Sequence, residues 1–430
     1  MEDESQNRQV CVFNEEFLYH IWDGRHYSNN LKTVSGKSLT LIFNGHFNTD
    51  RGPDFKNAVF QLEGEYIRGD VEIHINTYDW VSHKHYQDTN FNNVALHVVY
   101  KHNSSLAYTI KENGELLEIL ELKPYLDEEI SKLMERYGVE PNFRDKSCDF
   151  FNGLEPDQMV QLLSRIGRER VQSKIKRFEA LLIFSDFNQI MYQGLLETCG
   201  YSKNKINMIT LSEIMNWSEF TAKKGNYQTQ LSENLTRSGL DKLLKREKRS
   251  SEEPIKWITF RVRPSNNPAI RYCQMFTLLF SALDGGLIKS ILKLFDDLPG
   301  KPILANRLIL KRFTELFQST EIYGREIKKP GRSALRRILF NVIYPISILY
   351  YDKIGESGMS DPIWSYVEEF GKLGDNHIIK TMRSYLTENQ YRYLKKEILR
   401  QGVLKIYFDN CEYFTCNACK LRKEHLLSEM

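Results

Sequence analysis

The segment GDVEIHI, residues 69–75, decides how the amino-terminal part of this chain folds. Apolar and polar residues alternate along it, which is the pattern of a β-strand with one buried face. Its apolar residues share that face, and Asp70, Glu72 and His74 share the other. Two carboxylates and an imidazole are costly to bury together, so this strand face is a candidate functional site.

The residues just upstream supply another acid. The stretch GHFNTDRGPDF, residues 45–55, is dense in polar side chains, and its Gly52-Pro53 pair predicts a turn. That turn delivers Asp54 to the start of the next strand, where we expect its carboxylate to meet that of Glu72. Hard oxygen ligands that converge in this way suit Mg²⁺ or Mn²⁺. The sequence therefore predicts a divalent cation held by Asp54 and Glu72, with Asp70 as a further candidate ligand.

The elements around this site predict a mixed α/β unit. Asn14 is a good cap for a short helix from residue 15 to residue 22, because two acids follow it in the first turn. Segments with strand character come next, and a polar stretch at 77–92 is long enough for one short helix. The predicted order is α-β-β-β-α-β, with strands at 39–43, 58–62, 66–75 and 94–100. Residues 116–122 are a further candidate strand.

From Glu155 onward the apolar pattern changes to helical periodicity and no strand pattern of comparable strength returns. The charged stretch from Lys242 to Glu253 reads as an exposed linker. The predicted fold class is thus α+β or α/β, a mixed-sheet domain followed by a mainly α-helical body. The predicted domains are residues 1–125, a helical domain at 126–250, and a helical domain with a cysteine-containing tail at 251–430.

Composition narrows the function classes. The 430 residues are 41% hydrophobic, which supplies ample material for buried cores, and the formal charge of +3 is too small to indicate nucleic-acid binding by itself. Apolar runs fall short of the ~20 residues of a membrane span. The acidic start, residues 1–9, has no signal-peptide pattern. We therefore expect a cytoplasmic protein without a membrane partner, and the sequence does not predict its oligomeric state.

The amino-terminal pattern resembles the PD-(D/E)XK nuclease superfamily, whose core is an αβββαβ unit. Pro53-Asp54 matches its first element and residues 71–74 match its apolar-acid-apolar-Lys strand, although His74 stands where the superfamily has lysine. The resemblance implies a metal-dependent nuclease, with nucleic acid as partner and Asp54 and Glu72 holding Mg²⁺ or Mn²⁺. It also implies that His74 orients or deprotonates the attacking water, and that the first helix adds an acid, either Glu15 or Glu16, near the metal.

Over its whole length the chain is similar to a bacterial family known as domain of unknown function 2851, of the Bacteroidetes type. This resemblance implies kinship with the family. It does not imply a function, because the family has no established activity. It rests on residues 16–22, 52–58, 69–74, 79–80, 96–100, 261–264, 267–268 and 271 and on the terminal cysteines.

Three other interpretations of the same residues stay open. In the first, Asp54 only closes an Asx turn and the polar strand face is solvated. In the second, the missing lysine indicates a catalytically inactive nucleic-acid-binding or scaffold protein that has kept a nuclease-like fold. In the third, His83 and His85 with Asp88 build a Zn²⁺ or Mn²⁺ hydrolase site beside His74.

The helical body offers candidate phosphate contacts. Arg168 lies in a basic run on a predicted helix, and Arg261, Arg263 and Arg271 surround two prolines. Aromatic side chains at 257 and 260 offer stacking surfaces for a nucleic-acid strand. A solvated helix face, or ion pairs between helices, would explain the same arginines.

The carboxyl-terminal tail carries ligand types for a structural metal. Cys411, Cys416 and Cys419, followed by His425, have spacing that suits a Cys₃His zinc site. Distant Cys148 is an alternative fourth ligand, for zinc or for an iron–sulfur cluster of the kind with which some PD-(D/E)XK nucleases pin their carboxyl terminus. Thiols without a metal are the other interpretation.

Overall fold

The computed structural model describes residues 13–49, 51–137, 148–223, 225–247 and 255–411. The chain forms two compact units, one of Met1–Gly153 with Ile406–Met430 and one of Leu154–Lys405. The predicted mixed sheet followed by a mainly helical body is confirmed. The predicted division of the helical body at residue 250 stays a prediction. Residues Leu154–Lys405 form one compact unit that spans this position.

The first unit is built on one mixed sheet. The sheet order is β1-β2-β4-β5-β6-β8-β7, and β3 pairs with β4 at one end. Strands β2, β4 and β5 are antiparallel neighbours, whereas β5, β6 and β8 run parallel. The elements are α1 Glu15–Asp23, β1 Leu31–Lys32, β2 Ser38–Phe43, β3 His46–Phe47, β4 Phe55–Leu62, β5 Glu65–Asn76, α2 Asp79–Ser82, β6 Val94–Lys101, β7 Tyr108–Ile110, β8 Leu116–Glu121, α3 Ile130–Tyr137 and α4 Asp149–Asn152.

Helix α1 covers the apolar face of this sheet. Asn14 caps it as expected, because its side chain accepts a hydrogen bond from the backbone N–H of Phe17. The apolar side of the helix packs on alternate residues of the central strands, such as Val71, Ile73 and Val98. The alternation read from residues 69–75 therefore places β5 correctly, with its polar residues on the face away from α1.

The polar face of β5 is covered by the connection to β6. This connection contains α2 and two short 3₁₀ turns, His85–Gln87 and Thr89–Phe91. Its Trp80 and Phe91 form a second apolar cluster with Val94 and Leu117. The connection thus closes over the acids and histidines of the strand and removes them from water.

The second unit is helical, with one short hairpin. Gly167 of α5 and Gly402 of α19 allow those helices to touch, since a Cβ at Gly167 would lie 2.0 Å from the Ile398 carbonyl oxygen. The helices are α5 Pro156–Leu181, α6 Phe187–Gly200, α7 Lys205–Ile214, α8 Trp217–Ala222, α9 Tyr227–Arg237, α10 Leu240–Lys245, α11 Pro268–Ser281, α12 Leu287–Leu292, α13 Pro302–Glu315, α14 Arg332–Ile338, α15 Tyr344–Lys353, α16 Ser357–Glu368, α17 His377–Arg383, α18 Glu388–Tyr393 and α19 Glu397–Ile406.

One detail of the helical body was predicted wrongly, and a short hairpin was not predicted. The charged stretch from Lys242 is not a linker from its start, because residues 242–245 complete helix α10, where Lys245 pairs with Asp241 one turn earlier. Strands β9 Thr320–Ile322 and β10 Arg325–Ile327 form an antiparallel hairpin. At three residues each, they are too short to give a strand pattern.

Candidate metal centre

Asp54 and Glu72 hold each other across neighbouring strands. The backbone N–H of Asp54 donates to Glu72 Oε2 at 3.1 Å, and the backbone N–H of Ile73 donates to Asp54 Oδ2 at 2.8 Å. The turn before Asp54 is fixed by Asn48, whose backbone and side-chain N–H groups donate to the carbonyls of Asp54 and Pro53. The structure thus brings together the two carboxylates that the sequence placed side by side.

Burial makes this carboxylate pair electrostatically unusual. Burial raises the pKa of Asp54 to about 7, and the neighbouring Glu72 carboxylate adds to the effect. Burial likewise raises the pKa of Glu72 to about 8, opposed by the hydrogen bond from the Asp54 backbone and by the Lys56 ammonium, and reinforced by Glu15. Two acids this close retain protons at neutral pH unless a cation joins them.

Two further groups from α1 face the pair. The Tyr19 hydroxyl is hydrogen-bonded to the Asp54 side chain, and burial followed by the Asp54 charge raises the pKa of Tyr19. Burial raises the pKa of Glu15, while the imidazoles of His83 and His85 lower it and Asp54 raises it. Helix α1 therefore contributes one phenol and one carboxylate to the site.

Three imidazoles gather on the other side of Glu72. Its Oε1 lies 3.2 Å from His85 Nε2 and 3.5 Å from His74 Nε2. His83 Nδ1 lies 3.2 Å from the same His74 Nε2. One donor atom from each of these three histidines lies within 4.8 Å of the other two. This cluster has the residue types and the spacing of a metal site.

The connection between β5 and β6 positions His83 and His85. His83 ends α2, and Lys84 adopts the left-handed conformation at φ 61°, which turns the chain so that both neighbouring imidazoles face His74. The His85 ring stacks on Phe91 at 3.8 Å between ring centroids and meets Trp80 edge-on. His83 is exposed to solvent, whereas His85 is half-buried.

A fourth histidine lies behind His74. His97 pairs with Glu72 in the parallel ladder between β5 and β6 and is fully buried. Its Nε2 lies 2.9 Å from His74 Nδ1, and its Nδ1 lies 3.4 Å from the Thr109 hydroxyl. Burial lowers the pKa of His97 to about 3 and also lowers that of His74. Both rings are therefore neutral at physiological pH.

Two of the predicted metal ligands are placed elsewhere. Asp70 accepts hydrogen bonds from Lys56 Nζ at 2.9 Å and from the backbone N–H of Asn57 at 3.0 Å, so it stabilises a bulge of β4 in which Asn57 has φ 59°. Glu16 is exposed on α1, and of the two acids in that turn it is Glu15 that interacts with the site. The Asp88 side chain caps the turn Thr89–Phe91 instead of joining the histidines.

The arginines predicted to contact nucleic acid fall into two groups. Arg168 pairs with Glu368 and covers the Trp364 ring at 4.2 Å, and Arg271 donates to the Tyr201 hydroxyl at 2.8 Å. Arg261 and Arg263 are exposed.

The two aromatic rings near these arginines also differ. Phe260 is 75% exposed, and its ring lies 5.1 Å from the Arg261 guanidinium. Trp257 is buried and donates to the Ser238 carbonyl, so Phe260 is the ring of this pair that can stack on a base.

The terminal cysteine site stays a prediction. Cys148 and Cys411 are both half-buried in the first unit. Cys416, Cys419 and His425 lie outside the described residues.

Sequence reasoning missed Tyr19, His97 and Thr109. The apolar spacing of α1 gave no reason to place a tyrosine at its polar edge. His97 was recognised as part of a strand and of the histidine-rich amino-terminal part but not as a neighbour of Glu72, because a sequence does not reveal which residue of a parallel partner strand lies beside it. Thr109 comes from β7, a strand of three residues, which is too short to give a pattern.

Residues 15–251, more than half of the chain, match the family model described as "Protein of unknown function (DUF2851)". No curated protein and no solved structure matches the chain. In the described part of the chain, no helix has both the length and the apolar character needed to cross a membrane.

Proposed function

The chain belongs to the DUF2851 family, whose function is unknown, and from its site we propose that it is a metal-dependent hydrolase of phosphodiester bonds, a nuclease. The observation that carries this proposal is the pair of half-buried Asp54 and buried Glu72, each held by a backbone N–H of the other segment. A divalent cation such as Mg²⁺ or Mn²⁺ would relieve the crowding of acids that raises both pKa values.

The donor set fits a hard cation. Asp54, Glu72 and the nearby Glu15 offer carboxylate oxygens, which are the ligands that Mg²⁺ and Mn²⁺ prefer. Once bound, the cation would supply a Lewis acid for a phosphoryl oxygen. Tyr19 fixes the orientation of Asp54, and Lys56, which pairs with Asp70, is close enough to lower the pKa of Glu72.

The nuclease assignment draws on the likeness to the PD-(D/E)XK core. Helix α1, the antiparallel strands β2, β4 and β5, helix α2 and the parallel strand β6 follow the αβββαβ order that this likeness implies. We also propose that the protein is of the Bacteroidetes type of this family and that it is cytoplasmic. His74 departs from the superfamily pattern, and its ring nitrogens face His97 and His83.

A second candidate function is nucleic-acid binding without turnover. Exposed Phe260 beside exposed Arg261 and Arg263 favours it, since an aromatic ring with adjacent guanidinium groups suits a single strand.

Cleavage of defined oligonucleotides separates the two. We expect the full chain to cleave DNA or RNA with Mn²⁺ or Mg²⁺ and not with EDTA. Asp54→Asn and Glu72→Gln should each lower the rate at least about 100-fold, because each removes a charged ligand at the reacting centre. Glu16→Gln, which changes an exposed acid of the same helix, should keep the wild-type rate. Salt-dependent binding of the oligonucleotides without any cleavage would overturn the nuclease proposal and support nucleic-acid binding without turnover.

A further inference from the structure

We propose that the imidazole cluster on the far side of Glu72 is a second metal position, selective for a nitrogen-preferring cation of the Zn²⁺ type. Its four ligand atoms are Glu72 Oε1, His74 Nε2, His83 Nδ1 and His85 Nε2. This inference rests on the proposed hydrolase for its role, and on the geometry of the cluster for its existence.

The separations between these atoms fit tetrahedral zinc. Zinc lies about 2.0–2.1 Å from nitrogen and oxygen ligands, so that neighbouring ligand atoms of a tetrahedron are about 3.3 Å apart. Three of the six separations are close to this value: 3.2 Å from Glu72 Oε1 to His85 Nε2, 3.5 Å from Glu72 Oε1 to His74 Nε2 and 3.2 Å from His74 Nε2 to His83 Nδ1. One nitrogen from each of the three histidines lies within 4.8 Å of the other two. Three nitrogens and one carboxylate oxygen are ligands that zinc accepts.

One of these four atoms is buried without a hydrogen-bond partner in the described part of the chain. His85 Nε2 makes no hydrogen bond to any described residue, although it lies within ion-pair distance of Glu72 Oε1. A buried polar atom without a partner is unfavourable, and a cation between His85 and Glu72 would satisfy it. Stacking on Phe91 holds the ring in this orientation.

His97 and Thr109 supply the support that a metal-binding imidazole requires. A ligating histidine donates its other N–H to a fixed acceptor, which sets the tautomer and the ring orientation. His74 Nδ1 lies 2.9 Å from His97 Nε2, and His97 Nδ1 lies near the Thr109 hydroxyl, which accepts as readily as it donates. A proton on each Nδ1 therefore leaves the lone pair of His74 Nε2 directed into the cluster.

Glu72 joins the two metal positions. Its Oε2 faces Asp54, whereas its Oε1 faces the imidazoles. A carboxylate in this position bridges two cations, and pairs of cations about 3.5–4 Å apart stabilise both the attacking and the leaving oxygen in phosphoryl-transfer enzymes. The imidazole cluster thus extends the proposed hydrolase to a two-metal centre.

Zinc binding by the metal-free full chain tests the inference. Every protein in the experiment carries Cys416→Ser, because the terminal thiols are themselves possible zinc ligands. We expect one Zn²⁺ per chain by calorimetry, and Co²⁺ in the same position should give the intense visible absorption of a tetrahedral complex. His85→Gln and His83→Gln should each weaken binding at least about tenfold. His377→Gln, an exposed histidine of the helical unit, is the matched control and should change nothing.

The outcomes separate this inference from the nuclease proposal. Retention of the cobalt spectrum in Asp54→Asn, whether or not the protein cleaves nucleic acid, supports an independent imidazole position. Equal zinc affinity in wild type, His83→Gln and His85→Gln would overturn it, and so would an octahedral cobalt spectrum. A variant that fails to fold is replaced by His85→Asn, and folding is checked by circular dichroism.

Discussion

The two units of this protein differ in the groups that surround the carboxylates compared here. In the helical unit, acids meet bases: the Glu197 carboxylate receives Arg177 at 2.8 Å and Lys205 at 3.1 Å. In the sheet unit, the half-buried carboxylate of Asp54 and the buried carboxylate of Glu72 meet each other and a cluster of imidazoles. An ion pair between an acid and a base stabilises the fold without any ligand. Two acids in contact must instead retain protons or bind a cation. The contrast supports our placing the proposed site in the sheet unit.

The helical unit has its own buried charge, and it titrates in the opposite direction. Burial lowers the pKa of Lys174 to about 7, and the neighbouring Arg170 contributes. The ammonium is held by the side-chain oxygens of Asn341 at 2.6 Å and Gln401 at 3.0 Å, which are neutral acceptors. As pH rises, the contribution of these groups to the free energy of unfolding should therefore fall in the sheet unit and rise in the helical unit.

The largest expected effect is in the sheet unit without metal. Because the folded-state pKa values of Asp54 and Glu72 are raised, the folded state holds more protons than the unfolded state between about pH 4 and pH 8. These groups should therefore lower stability as pH rises through that window. The double variant Asp54→Asn, Glu72→Gln should be more stable than wild type by roughly 2–4 kcal/mol at pH 8.5 and nearly equal to it at pH 4.

Urea denaturation in EDTA, followed by tryptophan fluorescence, measures this difference. Glu16→Gln is the control and should follow wild type at both pH values. A double variant that is less stable than wild type at pH 8.5 would show that the acids are not crowded in the folded protein.

An intermediate effect is expected from the residue behind the imidazole cluster. Thr109→Val keeps the shape of the side chain and removes the hydroxyl that contacts His97 Nδ1. Zinc affinity should fall about tenfold, since residues that orient a metal ligand typically contribute that much. Calorimetry in the Cys416→Ser background measures it, with Thr40→Val on β2 as the matched control. Unchanged affinity would remove Thr109 from the site.

The smallest effect belongs to the helical unit. With a folded pKa of about 7 and an ordinary unfolded value, Lys174 binds fewer protons in the folded state between about pH 7 and pH 10. Its contribution to stability should therefore become more favourable as pH rises through that window. Lys174→Met removes this trend. The side chain is half-buried, so solvent screening reduces the effect, and the difference in free energy of unfolding between wild type and variant should depend on pH by only about 1 kcal/mol. A pH-independent difference would mean that water reaches the ammonium.

Sequence patterns predicted much of the sheet unit. Alternation over residues 69–75 placed Glu72 and His74 on one face, and the Gly52-Pro53 turn delivered Asp54 to the neighbouring strand. These are local properties, which a pattern with a period of two records directly.

The parts that could not be predicted depend on tertiary register. A bulge at Asn57 diverts Asp70 into a structural role, and no local pattern marks it. The parallel register that sets His97 beside Glu72 follows from the crossover. Lys84, in its left-handed conformation, directs His83 and His85 towards His74, although lysine has no particular preference for that backbone.

The most direct test of the central claim is Mn²⁺ binding to the Asp54–Glu72 pair, followed by electron paramagnetic resonance in the His85→Gln background, which disables the imidazole position. We predict one tightly bound Mn²⁺ per chain. Asp54→Asn added to that background should weaken binding at least about tenfold, whereas Glu16→Gln should leave it unchanged. Equal Mn²⁺ affinity with and without the Asp54 carboxylate would contradict the account.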